Sequence, residues 1–401
     1  MVVNIRDKPA AVDTRFMALD SLRGVCALIV ALFHFRTTGL IANLQIVRNG
    51  WLFVDFFFVL SGFVIAHAYG KRLVERRVSV GNFMALRMGR IYPVHLMVLA
   101  VMVVLECLLA MADMSAFTRR AAFEGSHSVA AIVTNLLLLQ SFGLHHQLTW
   151  NAPSWSIAAE MWTYLLFALI FSWFGTKARI PIVLVGLAAL LFLILKSPHH
   201  LNTTYQYGFV RAVFGFALGV SVQYLFERGY RLGGSLPEVA MLLLSLLFVH
   251  AAGESWLSFL GPPLFACAVW VFAVERGIVS QWLRTAPMAL LGTVSYSLYM
   301  VHAFVQARLG EIIQLRGSWI GASLQTGRNN PEFSVTTIVA PPLVGDALSI
   351  VMIAIVIGLS ILSYRWIEYP CREWARDRVK LRASMARRGN NVAAQSPVLR
   401  D

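Results

Sequence analysis

In the stretch MALDSLRGVCALIVALFHF, residues 17–35, Arg23 and His34 stand eleven positions apart in a run otherwise built mainly of Ala, Val, Leu, Ile and Phe. Eleven steps of ~100° fall within ~20° of whole turns, so a helix puts both side chains on one face, ~16 Å apart along its axis. Asp20, three residues before Arg23, joins the same stripe. An imidazole with a pKa near its ordinary ~6.5 moves a proton readily at neutral pH, and a guanidinium suits a multiply charged anion. A charged side chain at the centre of a membrane helix costs roughly 2.5 kcal/mol or more, so its presence there asks for a use.

Other apolar runs carry similar interruptions. WLFVDFFFVLSGFVIAHAYG holds Asp55, and NAPSWSIAAEMWTYLLF holds Trp155, Ser156 and Glu160. In the latter, Pro153 and Ser154 read as a helix start with Ser154 as N-cap. LLGTVSYSLYMVH carries Tyr296, Tyr299 and His302, and ALRMGRIYPVH carries Arg87 and Arg90. Their spacing of three lets both arginines grip one polyanion, and Pro93 is expected in a first helical turn. Each residue also has a plain reading. Arg87 and Arg90 anchor positive charge at a membrane surface, Asp20 pairs with Arg23, the aromatics pack, Tyr296 glues helices, and His34 and His302 are satisfied structural groups. Convergence sets the constellation apart: counted inward from the span ends, His34, Asp55, Glu160 and His302 fall at one depth on four helices.

The elements that must position these groups are membrane spans. The chain has 401 residues, 58% hydrophobic and 13% charged, with a mean hydropathy of +0.67. Apolar runs long enough to cross ~30 Å of hydrocarbon recur throughout. The expected fold is an all-α polytopic membrane protein of ten spans, at 17–35, 51–69, 91–112, 155–174, 180–196, 205–226, 236–252, 257–274, 287–308 and 343–366. The stretch 129–143 is short and polar enough to be re-entrant or interfacial. The alternating segments of a transmembrane β-barrel are absent.

The net charge of +14 does not indicate nucleic acid, because 24 of the 34 Lys and Arg residues fall in segments that a cytosolic N-terminus places inside. The positive-inside rule selects both termini in the cytosol. Four cysteines without CxxC spacing indicate neither a disulfide framework nor a zinc site, and no metal is expected. The charges within the first span argue against a cleaved signal peptide. The expected organisation is a cytosolic segment 1–16, a membrane domain 17–372 and a basic, disordered tail 373–401 held near anionic lipid. The outer segment 309–342 reads as a lid or a solvated loop.

ALDSLRGVCALIVALFHF, FVDFFFVLSGFVIA, RMGRIYPVHL, PSWSIAAEMWTYLLF and LGTVSYSLYMVHAF resemble, in order and spacing, the motif series of the acyltransferase-3 family of bacterial membrane O-acyltransferases. The resemblance runs from about residue 17 to 372. It implies a multi-pass protein of the bacterial inner membrane, of the stand-alone type without a C-terminal SGNH domain. It assigns Arg23 and His34 to the family's Arg-x10-His pair, with the histidine essential, Arg87 and Arg90 to its Arg-x-x-Arg element that handles the acyl donor, and Trp155, Ser156 and Glu160 to its Trp-Ser-x-x-x-Glu segment.

The reaction so implied moves an acyl group, acetyl by default, from cytosolic acyl-CoA to a hydroxyl of an envelope or exported carbohydrate or glycolipid, with no bound cofactor. Arg23, Arg87 and Arg90 would hold the donor's phosphates. His34 would act as general base, oriented by Glu160 or Asp55, with Trp155, Ser156, Tyr296, Tyr299 and His302 lining the substrate path. Direct transfer and an acyl-histidine intermediate both remain open, as do succinyl-CoA as donor and a small glycosylated metabolite as acceptor. The rival class is a secondary transporter or flippase with a proton relay, which predicts inverted repeats that the sequence lacks.

Overall fold

The computed structural model describes residues 16–112, 121–330 and 333–395. The N-terminal segment up to residue 15 and the last six residues, for which a cytosolic segment and a tail end were expected, lie outside these. The principal helices are α1 (Met17–His34), α2 (Phe53–Ile65), α3 (Val80–Met111), α4 (Val129–Leu136), α5 (Ser154–Phe174), α6 (Arg179–Lys196), α7 (Gly208–Glu227), α8 (Ser235–Ala252), α9 (Gly261–Phe272), α10 (Ala286–Arg316), α11 (Pro342–Ser363) and α12 (Tyr369–Gln395). Strands β1 (Ser323–Asn330) and β2 (Phe333–Val339) form an antiparallel hairpin between α10 and α11. Among the described residues, nine helical stretches are long and apolar enough to cross a membrane, and the expected span 257–274 is a shorter apolar helix, Trp256–Phe272. The protein is an all-α polytopic membrane protein. The stretch 129–143 forms only the eight-residue α4 and then irregular chain, too short to span.

Close helix pairs organise the bundle, and small residues make them. α1 lies along α10 through Gly24 and Gly292: a Cβ on Gly24 would sit 2.5 Å from the Leu291 carbonyl carbon, and one on Gly292 2.7 Å from that of Asp20. α2 lies along α7 in the same way, with Gly62 against the Phe216 carbonyl and Gly219 against that of Val59. With lipid outside, such seams gain from van der Waals contact that only near-touching backbones provide. α1 has no capping side chain of its own; Glu275, in the loop after α9, accepts a hydrogen bond from Ala18 N–H at 2.6 Å. A carboxylate at a helix N-terminus also meets the positive end of the dipole. Burial pushes the Glu275 pKa up, and the Ala18 N–H opposes this.

Three local expectations are corrected. α3 starts at Val80, N-capped by Ser79, which accepts from Asn82 N–H at 3.2 Å, so Pro93 lies deep inside the helix rather than in a first turn. Its missing N–H releases the Gly89 carbonyl. Gly89 in turn lets α12 approach at Ala375. Ser154 does not cap α5; it is the first helical residue, and its hydroxyl accepts from Gln140 (3.1 Å) and donates to Asn135 (3.4 Å). The segment read as a disordered basic tail continues as α12 to Gln395, with ion pairs Arg376–Glu373 and Lys380–Asp377 at i,i+3.

The segment 309–342 is also more than loop. α10 runs on to Arg316, and the hairpin then joins the chain just after His34: Ile338 N–H donates to the Arg36 carbonyl (2.9 Å), and Thr38 N–H donates to that of Ile338 (3.1 Å). α2 and α11 each end in a π-helical turn, Ala66–Gly70 and Tyr364–Glu368.

Candidate active site

The polar face of α1 opens onto two chambers. Toward its start, Arg23 donates from Nε to Ser295 Oγ (2.8 Å) and from Nη2 to the Gly292 carbonyl (3.1 Å), and it pairs with Asp20 at 3.2 Å. The Gly24–Gly292 contact is therefore also what brings α10 within reach of the guanidinium. Arg23, Arg87, Arg90, Glu160, Tyr164 and Ser295 line a chamber of about 100 Å³. Arg87 lies over the Tyr69 ring, 5.0 Å from its centroid, and donates to the Tyr69 hydroxyl at 3.2 Å. Tyr69 sits in the first π-helical turn, and the second carries Glu368, which accepts from Ser297 at 2.8 Å and attracts Arg90 electrostatically. Arg90 makes no hydrogen bond or ion pair among the described residues, so its donors are available to a ligand. Single π-turns recur at functional sites because they redirect side chains within a helix.

His34, at the far end of α1, faces a chamber of about 700 Å³ lined also by Trp51, Trp155, Arg211, Tyr299 and Gln306, with Ile338 of the hairpin on one side. The hairpin is thus a wall of the histidine chamber. His34 is exposed to it, and His34 Nδ1 lies 2.9 Å from the Val30 carbonyl. A carbonyl only accepts, so Nδ1 carries the proton and Nε2 keeps its lone pair. Arg36, on the same chamber beyond the end of α1, is held below the usual arginine pKa by burial and by Arg48, against the pull of Glu254. Val54 and Tyr299 line both chambers, so the two volumes lie on either side of a shared wall.

The expected site residues divide between these places. Glu160 does not share a level with His34; it lies in the arginine chamber, where the hydroxyls of Ser61 and Tyr164 (the latter at 2.5 Å) donate to it. Asp55 is fully buried and gives both oxygens to Arg211, at 2.8 and 2.7 Å. Among the described residues neither carboxylate bonds His34, and the orienting contact is the Val30 carbonyl. Trp155 lines the histidine chamber and Tyr299 both. Ser156 lies 2.8 Å from the Tyr299 hydroxyl, and the Tyr296 hydroxyl donates to the Ile91 carbonyl. His302 lines neither chamber but packs against the His34 ring.

Arg211 is the group the sequence reading passed over. It is 1% exposed and stacked near Trp51 and Trp155, and it donates to the carbonyls of Thr203 and Trp51 as well as to Asp55. Its signal was plain: one arginine inside the apolar run GFVRAVFGF. Among the described residues no His, Cys, Asp or Glu cluster is arranged to hold a metal.

The site is thus an all-helical membrane bundle with a cationic chamber beside a histidine chamber. The chain belongs to the acyltransferase-3 family, whose acyltransferase domain matches residues 17–369. It is therefore a membrane acyltransferase. It is 25% identical over 388 residues to "Acyltransferase MdmB" of Streptomyces mycarofaciens, covering 89% of this chain and 92% of that protein. It is 31% identical over 179 residues to "Protein 2 in picA locus" of Rhizobium radiobacter, covering 43% of this chain and 90% of that one. No solved structure matches it.

Proposed function

We propose that the protein moves an acyl group, acetyl by default, from acyl-CoA seated in the arginine chamber to a hydroxyl of a carbohydrate or glycolipid in the histidine chamber. The observation that carries this reading is the adjacency of the two chambers, which share Val54 and Tyr299 as lining, with three arginines on one side and His34 on the other. Arg90 and Arg87 would grip the donor's phosphates by charge-assisted hydrogen bonds, and the narrow chamber suits its extended arm. The thioester then reaches the junction below His34. His34 Nε2 takes the proton of the acceptor hydroxyl as its oxygen attacks the thioester carbonyl. The C–S bond breaks, and the same proton passes to the departing thiolate, giving ester and free CoA. The aromatic and amide lining of the histidine chamber, with Trp51, Trp155 and Gln306, suits the apolar face and hydroxyls of a sugar ring.

The test uses purified protein in lipid with acetyl-CoA or succinyl-CoA, following free CoA release against a panel of glycan and glycosylated small-molecule acceptors. The reading predicts release that needs His34 and rises with one acceptor class. Folded protein that turns over none of the thioesters would contradict it.

A further inference from the structure

His302 is 0% exposed on α10, one turn beyond Tyr299, and its ring centroid lies 5.1 Å from that of His34 with the planes at 48°. The Tyr299 ring flanks it at 5.7 Å. Among the described residues, no group meets hydrogen-bond geometry with either ring nitrogen of His302. The carbonyls of Leu298 and Tyr299, three and four residues back on the same helix, attract the ring N–H without reaching full hydrogen-bond geometry. Such an imidazole is an odd choice for packing. Each unmet buried donor or acceptor costs about 1–3 kcal/mol, whereas a leucine or phenylalanine would fill similar space at no such cost. A buried polar group kept waiting in the resting state implies a partner that forms during turnover.

We infer that His302 is a positioning residue for His34, stabilising the imidazolium that His34 becomes when it takes the acceptor's proton. This rests on the reading of His34 as general base. In the resting state His34 is neutral, satisfied at Nδ1 by Val30, and asks nothing of its neighbour. In the transition state its ring carries a positive charge, and the chamber it faces already holds the cations Arg36 and Arg211. The neutral His302 ring, already packed against it, then turns a nitrogen lone pair toward that charge. The proton stays on His34 until the thiolate takes it, so His302 gains and loses nothing over the cycle. An interaction made only in the transition state acts on kcat and leaves KM alone.

The experiment compares His302→Leu and His302→Gln with the wild type in lipid, measuring Tm, KM for acetyl-CoA and acceptor, and kcat. The expected result is a Leu variant with unchanged or raised Tm, KM values within about twofold, and kcat lowered at least tenfold. The Gln variant, whose amide oxygen supplies a lone pair, is expected to recover part of that loss. A Leu variant with wild-type kcat, a Gln variant no better than Leu, or a kcat loss that follows a falling Tm would overturn the inference. If Leu does not fold, the Gln variant decides alone: a three- to tenfold fall in kcat at constant KM supports the role, and wild-type kcat ends it. His34→Ala serves as control, since full activity there would remove the base reading itself rather than the part played by His302.

Discussion

At His34 a backbone carbonyl does what a carboxylate does in a catalytic triad: it fixes the tautomer and leaves Nε2 free. Truncation to Ala should therefore lower kcat by about 10²–10⁴, the usual worth of a positioned base, while CoA binding survives because the arginines are untouched. Isothermal titration with CoA alongside CoA-release kinetics checks both halves. Arg90, with no hydrogen bond or ion pair among the described residues, should matter in the opposite sense. Arg90→Ala is expected to raise KM for acyl-CoA by roughly ten- to a hundredfold, matching a charge-assisted bond of about 1.5–3 kcal/mol, with kcat nearly kept. An unchanged KM would take Arg90 out of the donor site. The Arg23–His34 face was legible in the sequence because helical period is local. Tyr164, four residues after Glu160 on its own helix, follows the same local period, but Ser61 as a partner of Glu160 and Arg211 as the partner of Asp55 were not legible, since depth along a span says nothing about which helices become neighbours. Asp55 meets Arg211 across 156 residues of chain.

The helices hold these side chains through seams that tolerate little. Adding a side chain at Gly24 drives it into the α10 backbone, so Gly24→Val should cost about 1–3 kcal/mol as overpacking and also pull Arg23 from Ser295 and Gly292. A lowered melting temperature together with weakened CoA binding is the expected pair of results. On the α2–α7 seam, Asp55→Ala leaves Arg211 buried and unpaired, a loss of about 3–5 kcal/mol, whereas replacing both partners with Leu should recover much of the folded yield. Size-exclusion profiles and melts of the single and double variants separate the cases. A well-folded Asp55→Ala protein that has lost only kcat would put Asp55 in the chemistry after all. Most spans could be placed from apolar run length. The true start of α3 was missed because its local Ser79 cap lies outside the apolar run, and the role of Ser154 and the hairpin because they depend on contacts with Gln140 and Arg36 that span placement does not reveal.

For the molecule as a whole, the account needs two volumes opening toward opposite ends of α1 and a reaction at their junction. The basic segments fall on the Arg23 end, which the positive-inside rule assigns to the cytosol, where acyl-CoA is made. Cysteines introduced at Glu75 and Ser318 should then label from opposite faces of sealed membranes. The central claim is tested most directly by supplying labelled acetyl-CoA to sealed inside-out and right-side-out vesicles that carry the acceptor, with His34→Ala vesicles beside them. The account predicts that inside-out vesicles consume the thioester and acylate acceptor held on their luminal side, that right-side-out vesicles do so only once permeabilised, and that the His34→Ala protein does neither. Equal consumption in both orientations, or transfer that persists without His34, would contradict it.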